Sequence, residues 1–268
     1  MCKFLYIFCY VCFSELKNCT KARDLVVRCG EWDIKNENEV LLHQDRKVQS
    51  VEIHPAFTYN KLVYNDFAVL HLKQEFELGP HINPICLPEK VNQRSGQYSN
   101  NCVAMGYGTK TYRSRVFQQF LKQVRLPIVS NPQCQSKLIR NTKLGKINSW
   151  QLHESFMCAG GQEGVDACKG DGGGALACPS LRDSNRHVLA GITAWGVGCG
   201  QKDVPGVYAS VTDGLCFIHW ATRCQQGDKY KSWYDYTSQC RNWFNEELAK
   251  PSNAKYRSKF NQMKSRCS

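Results

Sequence analysis

The sequence predicts an all-β protein, an antiparallel barrel or sandwich, on three observations. Short β-branched and aromatic runs recur from Leu25 to Val211 with turn residues between them. Their spacing suits antiparallel strands better than strands alternating with long helices, because few segments hold a 3.6-residue period. Sixteen cysteines in 268 residues point to an oxidising compartment, where bridges commonly hold small-stranded folds together.

The candidate strands are Leu25 to Trp32, Val48 to Ile53, Phe67 to Leu72, Cys102 to Tyr107, Gln123 to Val129, Leu176 to Cys178, Val188 to Trp195 and Gly206 to Val211. A helix is expected after Ser130, where Ser130 or Asn131 caps the first turn and Pro132 sits just inside it. A second helix starts near Thr212, with Leu215, Phe217, Ile218 and Trp220 as its apolar positions.

Composition narrows the class. Hydrophobic residues make up 42% and charged residues 22%, which excludes a disordered or collagen-like chain. No run of ~18 apolar residues is present, so no spanning helix is expected. The net charge of +12 favours an acidic partner, and the lack of an aromatic-interleaved basic motif argues against nucleic acid.

Residues 1–14 read as a secretory signal: Lys3, the apolar stretch Phe4 to Phe13, then Ser14. The alternative is a buried strand. Cleavage near Ser14 removes Cys2, Cys9 and Cys12 and leaves 13 of the 16 cysteines, an odd number that implies one free or interchain thiol. Residues 15–223 form the main domain and 224–268 a basic extension. Residues 225–268 hold nine Lys or Arg against four acids, and we read them as a solvated extension partly folded back through Cys240, with a docking segment as the alternative.

The chemistry concentrates in Asp166-Ala-Cys-Lys-Gly-Asp-Gly-Gly-Gly-Ala-Leu-Ala-Cys178. This stretch resembles the nucleophile loop of the chymotrypsin-like serine proteases, D-x-C-x-G-D-S-G-G-P-x-x-C. Five further segments follow in family order: Tyr64 to Leu70, Asn101 to Gly108, Phe156 to Gly160, Ala194-Trp-Gly196 and Pro205-Gly-Val-Tyr208. The resemblance therefore implies a double antiparallel β-barrel ending in a helix. Arg28-Cys-Gly-Glu-Trp-Asp33, His43-Gln-Asp-Arg46 and Cys168-Lys-Gly-Asp-Gly-Gly173 are more narrowly similar to the arthropod clip-type serine protease homologues, non-catalytic cofactors of prophenoloxidase activation. The clip domain of that family is not among these residues.

By that resemblance the catalytic set is degenerate. Hydrolysis in this family needs a hydroxyl nucleophile, an imidazole base and a carboxylate that orients the base. Gly172 stands where the family has serine. The family's histidine lies in an A-A-H-C segment before the first strand, yet the first histidine here is His43; in Lys17-Asn-Cys-Thr20, Asn18 takes the histidine's place if Cys19 matches the family cysteine. Only Asp66 of the triad remains. Losing nucleophile or base costs about a millionfold in turnover, or ~8 kcal/mol of transition-state stabilisation, which no surface adjustment replaces. The remaining histidines follow no metal-ligand spacing, so neither a metal nor another cofactor is expected.

The resemblance also implies binding apparatus. Asp166 lies at the floor of a primary specificity pocket with Gly196 and Gly206 on its walls, an arrangement that accepts an Arg or Lys side chain. The amides of Gly170 and Gly172 form an oxyanion-hole-like pair. No I-V-G-G-like segment precedes the domain, so Asp171 is expected to lack an amino-terminal partner, and the amino-terminal barrel to be incomplete with an open edge. The implied disulfides are Cys102 with Cys178, Cys134 with Cys158, and Cys168 with Cys199. Position suggests Cys29 with Cys216 and Cys224 with Cys240, leaving Cys19 and Cys267 unassigned and Cys86 as the free or interchain thiol. Asn18-Cys-Thr20 is also a formal glycosylation acceptor.

The expectation is thus a secreted, inactive protease homologue that docks other proteins, cascade proteases or prophenoloxidase among them. The competing readings are an active trypsin-like endopeptidase and a fragment without a partner.

Overall fold

The computed structural model describes residues 22–59, 63–89 and 98–224, together with 240, 245–246, 249–250, 254, 257–259 and 261. The signal segment, Asn18 and Cys19, Cys267 and most of the basic extension lie outside the described residues.

The first unit contains β1 (Val26–Cys29), β2 (Gln44–Ile53), a two-stranded hairpin of β3 (Thr58–Tyr59) and β4 (Val63–Tyr64), and β5 (Ala68–Leu72). Alternation places Val27 and Cys29 inward and Val26 and Arg28 outward, so one face of the sheet packs on Val48, Phe76 and Ile82. Arg28 faces Asp45 across the β1–β2 register and holds its carboxylate with two hydrogen bonds, at 2.8 and 2.9 Å. The sheet order is β1-β2-β5, and among the described residues neither outer strand has a second partner. Among the described residues the amino-terminal unit is thus a three-stranded sheet.

The second unit closes. Its elements are β6 (Asn101–Gly106), β7 (Lys122–Val129), α1 (Asn131–Asn141), β8 (Phe156–Gly160), β9 (Ala175–Pro179), β10 (His187–Trp195), β11 (Pro205–Ser210) and α2 (Val211–His219). The strands form a closed barrel in the order β10-β11-β8-β7-β6-β9, with β9 returning to β10 through pairs such as Ala177 with Leu189. Closure removes every edge of this sheet. Leu126, Leu176 and Tyr208 fill the interior and are almost wholly buried.

Three local expectations change. Ser130 occupies the N-cap of α1 but makes no side-chain cap; its hydroxyl instead bonds Gln133 Oε1 at 3.0 Å. Strand β8, quoted in a motif but not expected as a strand, is buried along its whole length and so shows no alternation to read. The β3–β4 hairpin is also additional, because two-residue strands carry too little pattern.

The two units meet at α2. A Cβ on Gly214 would lie 2.7 Å from the Phe67 ring, so that backbone approach requires glycine. Phe217 meets His54 edge to face at 4.9 Å between centroids. Burial, with the neighbouring His153 charge adding to it, holds His54 down to about 3, so it packs as a neutral aromatic.

Candidate functional site

Four contacts pin the loop that carries position 172. Cys168 is bridged to Cys199, the Thr109 amide donates to Lys169 O at 2.8 Å, the Gly173 amide to Thr193 O at 2.9 Å, and the Thr193 amide to Gly174 O at 2.7 Å. Gly170 and Gly173 have φ of 92° and 81°, values that an L side chain rarely adopts. Gly172 is not among the positive-φ glycines, so its backbone tolerates a side chain that the sequence does not supply. The Gly170 and Gly172 amides have no acceptor among the described residues.

Asp171 corrects an expectation. It is not left unpaired: its carboxylate accepts the Gly108 amide and the Cys168 amide, each at 2.8 Å. No cationic side chain among the described residues reaches it. Burial raises its pKa while the two amides pull it back. Amides replace a charge here because Gly106 and Gly108 let the loop approach closely; a Cβ on either would fall within 2.3 Å of the carboxylate.

Asp66 sits between the two units. The neighbouring Asn65 holds a left-handed φ of 50°, donates its backbone amide to Ser155 Oγ and its Nδ2 to Ala56 O, and accepts the Phe67 amide at 2.8 Å, and these bonds fix where Asp66 begins. No hydrogen bond or ion pair joins the Asp66 carboxylate to any described residue. Burial pushes it up to about 6. Of the seven histidines, His43 contacts Glu31, His81 meets Leu42 O, His153 meets Ser155 Oγ and His54 Nδ1 accepts the Ala56 amide, while His71 Nε2 is buried without a hydrogen-bond partner; none bonds Asp66. A carboxylate without an imidazole and a loop without a hydroxyl provide neither base nor nucleophile.

Asp166 keeps one oxygen in reserve. Its Oδ2 accepts the Gly200 amide at 2.9 Å, whereas Oδ1 is buried with no hydrogen-bond partner. Burial raises its pKa to about 6, with the Gly200 and Ala167 amides opposing. Gly206 lies beside it: a Cβ there would sit 3.2 Å from Asp166 Oδ1 and 3.4 Å from the Tyr208 hydroxyl. That hydroxyl is a second buried, unpartnered group. Sequence reading missed Tyr208 as a site residue, although the two-residue strand period already puts it on the face of Gly206. Gly196 is exposed and contacts only its own turn, so it leaves the wall beside it open.

The disulfides divide into pairs that the resemblance implied and pairs that position misassigned. Bonds join Cys102 to Cys178, Cys134 to Cys158 and Cys168 to Cys199. The fourth joins Cys216 of α2 to Cys240, which overturns both Cys29 with Cys216 and Cys224 with Cys240. Cys216 and Cys240 are both buried, so the bridge fixes Cys240 to α2. Cys29 and Cys86 are each disulfide-bonded as well, so Cys86 is not the free or interchain thiol.

A closed antiparallel barrel beside a second sheet, with a disulfide-bridged Gly-Asp-Gly-Gly loop, defines a trypsin-type fold. The chain belongs to the trypsin family, whose model matches residues 12–220, more than half of the sequence. It is 43% identical to phenoloxidase-activating factor 2 of Galleria mellonella over 71% of this chain and 61% of that protein. It is 40% and 38% identical to the inactive CLIP domain-containing serine proteases A28 and A8 of Anopheles gambiae, over 74% and 77% of this chain but 48% and 54% of theirs. The chain thus spans about half to three-fifths of the length of these relatives. No helix among the described residues is long and apolar enough to cross a membrane.

Proposed function

We propose that the chain is a secreted, catalytically inactive serine protease homologue that acts as a binding cofactor in prophenoloxidase activation. The observation that carries this reading is glycine at position 172, in a chain whose buried Asp66 carboxylate meets no described histidine. Without an oxygen to acylate or a base to deprotonate it, the cleft retains only the means to bind. Relatives named as inactive proteases and as a phenoloxidase-activating factor support the cascade. Ten disulfide-bonded cysteines among the described residues support an extracellular setting.

A specific observation favours what the cleft would hold. The unpartnered Asp166 Oδ1 and the Tyr208 hydroxyl, beside a glycine at 206 that adds no side chain between them, suit a Lys or Arg side chain, whose ammonium or guanidinium would satisfy the buried oxygen. Other proteins, through a basic loop, are the proposed partners.

The test adds the purified chain to a reconstituted mixture of prophenoloxidase and its activating protease. Higher phenoloxidase activity, with no amide hydrolysis by the chain alone, supports the reading. Amide cleavage blocked by an active-site phosphonate overturns it.

A further inference from the structure

A second surface, formed by residues 32–34 and 109–122, combines exposed aromatic side chains with positive charge that has no ion-pair partner among the described residues. From residue 90 to residue 153 the sequence contains no Asp or Glu and 11 Lys or Arg. The middle of this stretch folds against the amino-terminal unit. Segment 32–34 runs beside 119–121, the Leu121 amide donating to Trp32 O at 3.0 Å and the Ile34 amide to Gln119 O at 3.1 Å. Thr109 pairs with Phe117, which turns residues 110–116 outward as a loop.

The face so formed is apolar where side chains are usually polar. Trp32 is 57% exposed, Val116 73%, Phe117 46% and Phe120 40%. Trp32 and Phe120 lie 6.2 Å apart between ring centroids, so the two segments present a joined aromatic pair, with Val116 and Phe117 exposed in the adjoining stretch of chain. Contiguous exposed apolar surface of this kind marks a protein contact.

Its rim is cationic. Lys122 Nζ stands 6.0 Å from the Phe120 centroid and Lys169 Nζ 4.1 Å from the Tyr112 centroid. Lys110, Arg113, Arg115 and Lys122 are exposed, and none has an ion-pair partner among the described residues. Of the acids in the adjoining segment, Glu31 binds Arg28 and His43, Asp33 is buried and accepts from Gln119, and Glu39 accepts the Asp33 amide, while Glu37 is exposed.

We infer that this face, built on Trp32, Phe117 and Phe120 and rimmed by Arg113, Arg115 and Lys122, docks an acidic protein segment that carries apolar side chains. The charge argues against occupants from the chain itself. Residues 1–21 hold three Lys against one Glu, residues 225–268 hold nine bases against four acids, and a second copy would bring +12 against +12. A bare polyanion would satisfy the cations and leave the aromatic patch uncovered. The surface goes beyond the cofactor reading, since it stands whether or not the chain serves melanisation.

The experiment measures binding of the full chain to three probes: a synthetic peptide alternating glutamate with leucine and phenylalanine, the same peptide with its apolar residues replaced by serine, and heparin. The apolar acidic peptide should bind about tenfold or more tightly than the serine version, and R113E/R115E should weaken it by at least that factor. Hydrogen exchange on the unmodified chain should show the peptide protecting residues 109–122, which keeps the test independent of how the variant folds. Equal binding of the serine peptide or of heparin, no binding, unchanged affinity in the variant, or protection elsewhere overturns the inference. None of these measurements contains phenoloxidase or protease, so they fail separately from the cofactor reading.

Discussion

The Asp171 carboxylate accepts the Gly108 amide at 2.8 Å, and the glycine makes that contact possible: a Cβ at position 108 would stand 2.3 Å from Asp171 Oδ2. The contact fixes the loop around Gly172 without any charged partner for Asp171 among the described residues. Gly108→Ala must push either strand end or carboxylate aside. Overpacking of this kind costs ~1–3 kcal/mol, which for a domain of this size lowers Tm by about 2–10 °C in a calorimetric scan. An unchanged Tm would show that the loop yields freely.

Gly172→Ser should leave the protein inactive. The backbone at 172 is outside the left-handed region, so serine fits, but no described histidine reaches Asp66 or the loop. The restored hydroxyl then has no base, and the missing step is worth orders of magnitude in rate. Release of a chromophore from an arginine amide substrate by this variant would contradict the assignment.

Asp66 makes a pH-dependent contribution of unusual sign for an aspartate. Its folded pKa, about 6, lies above the ordinary value of 3.8, so the folded state holds the proton more tightly than the unfolded state. The resulting stability is complete below 3.8 and disappears as pH rises through about 6. Asp66→Asn cannot ionise. It should match the wild type in acid and exceed it above neutrality by about 1–2 kcal/mol, read from urea midpoints at several pH values. Parallel curves would refute the buried, unpartnered carboxylate.

At Asp166 the same titration governs binding instead. Benzamidine, a compact cation, should bind the wild-type chain at neutral pH and lose affinity as pH falls below about 6, where the carboxyl takes up a proton. Asp166→Asn should abolish binding at all pH values. Isothermal titration that finds benzamidine bound equally to both proteins would place the cation elsewhere.

Cys240→Ser tests the bridge to α2. A native disulfide typically contributes ~2–4 kcal/mol, so the variant should unfold at a lower denaturant midpoint than the intact chain. A coincident midpoint would mean that residue 240 constrains nothing.

Much of this protein was legible in one dimension, and the legible parts share a cause. Strands β1, β2, β5, β6, β7, β9, β10 and β11 could be read because each carries β-branched or aromatic residues bounded by turn residues, a local signal. Glycine at 172 is a statement about which atoms exist, and no folding can add an oxygen to a residue that lacks one. Strand β8 escaped because burial on both faces erases alternation. The partner of Cys216 escaped because a disulfide joins positions by distance in space, which sequence position does not give. Tertiary structure alone decided that two glycines would let Asp171 take amides in place of a charge. It also decided that Asp166 would keep an unpartnered oxygen, and that Trp32 would meet Phe120 at the surface across a separation of 88 positions. Each of these is a contact between segments remote in sequence, set by how the three-stranded sheet packs against the closed barrel.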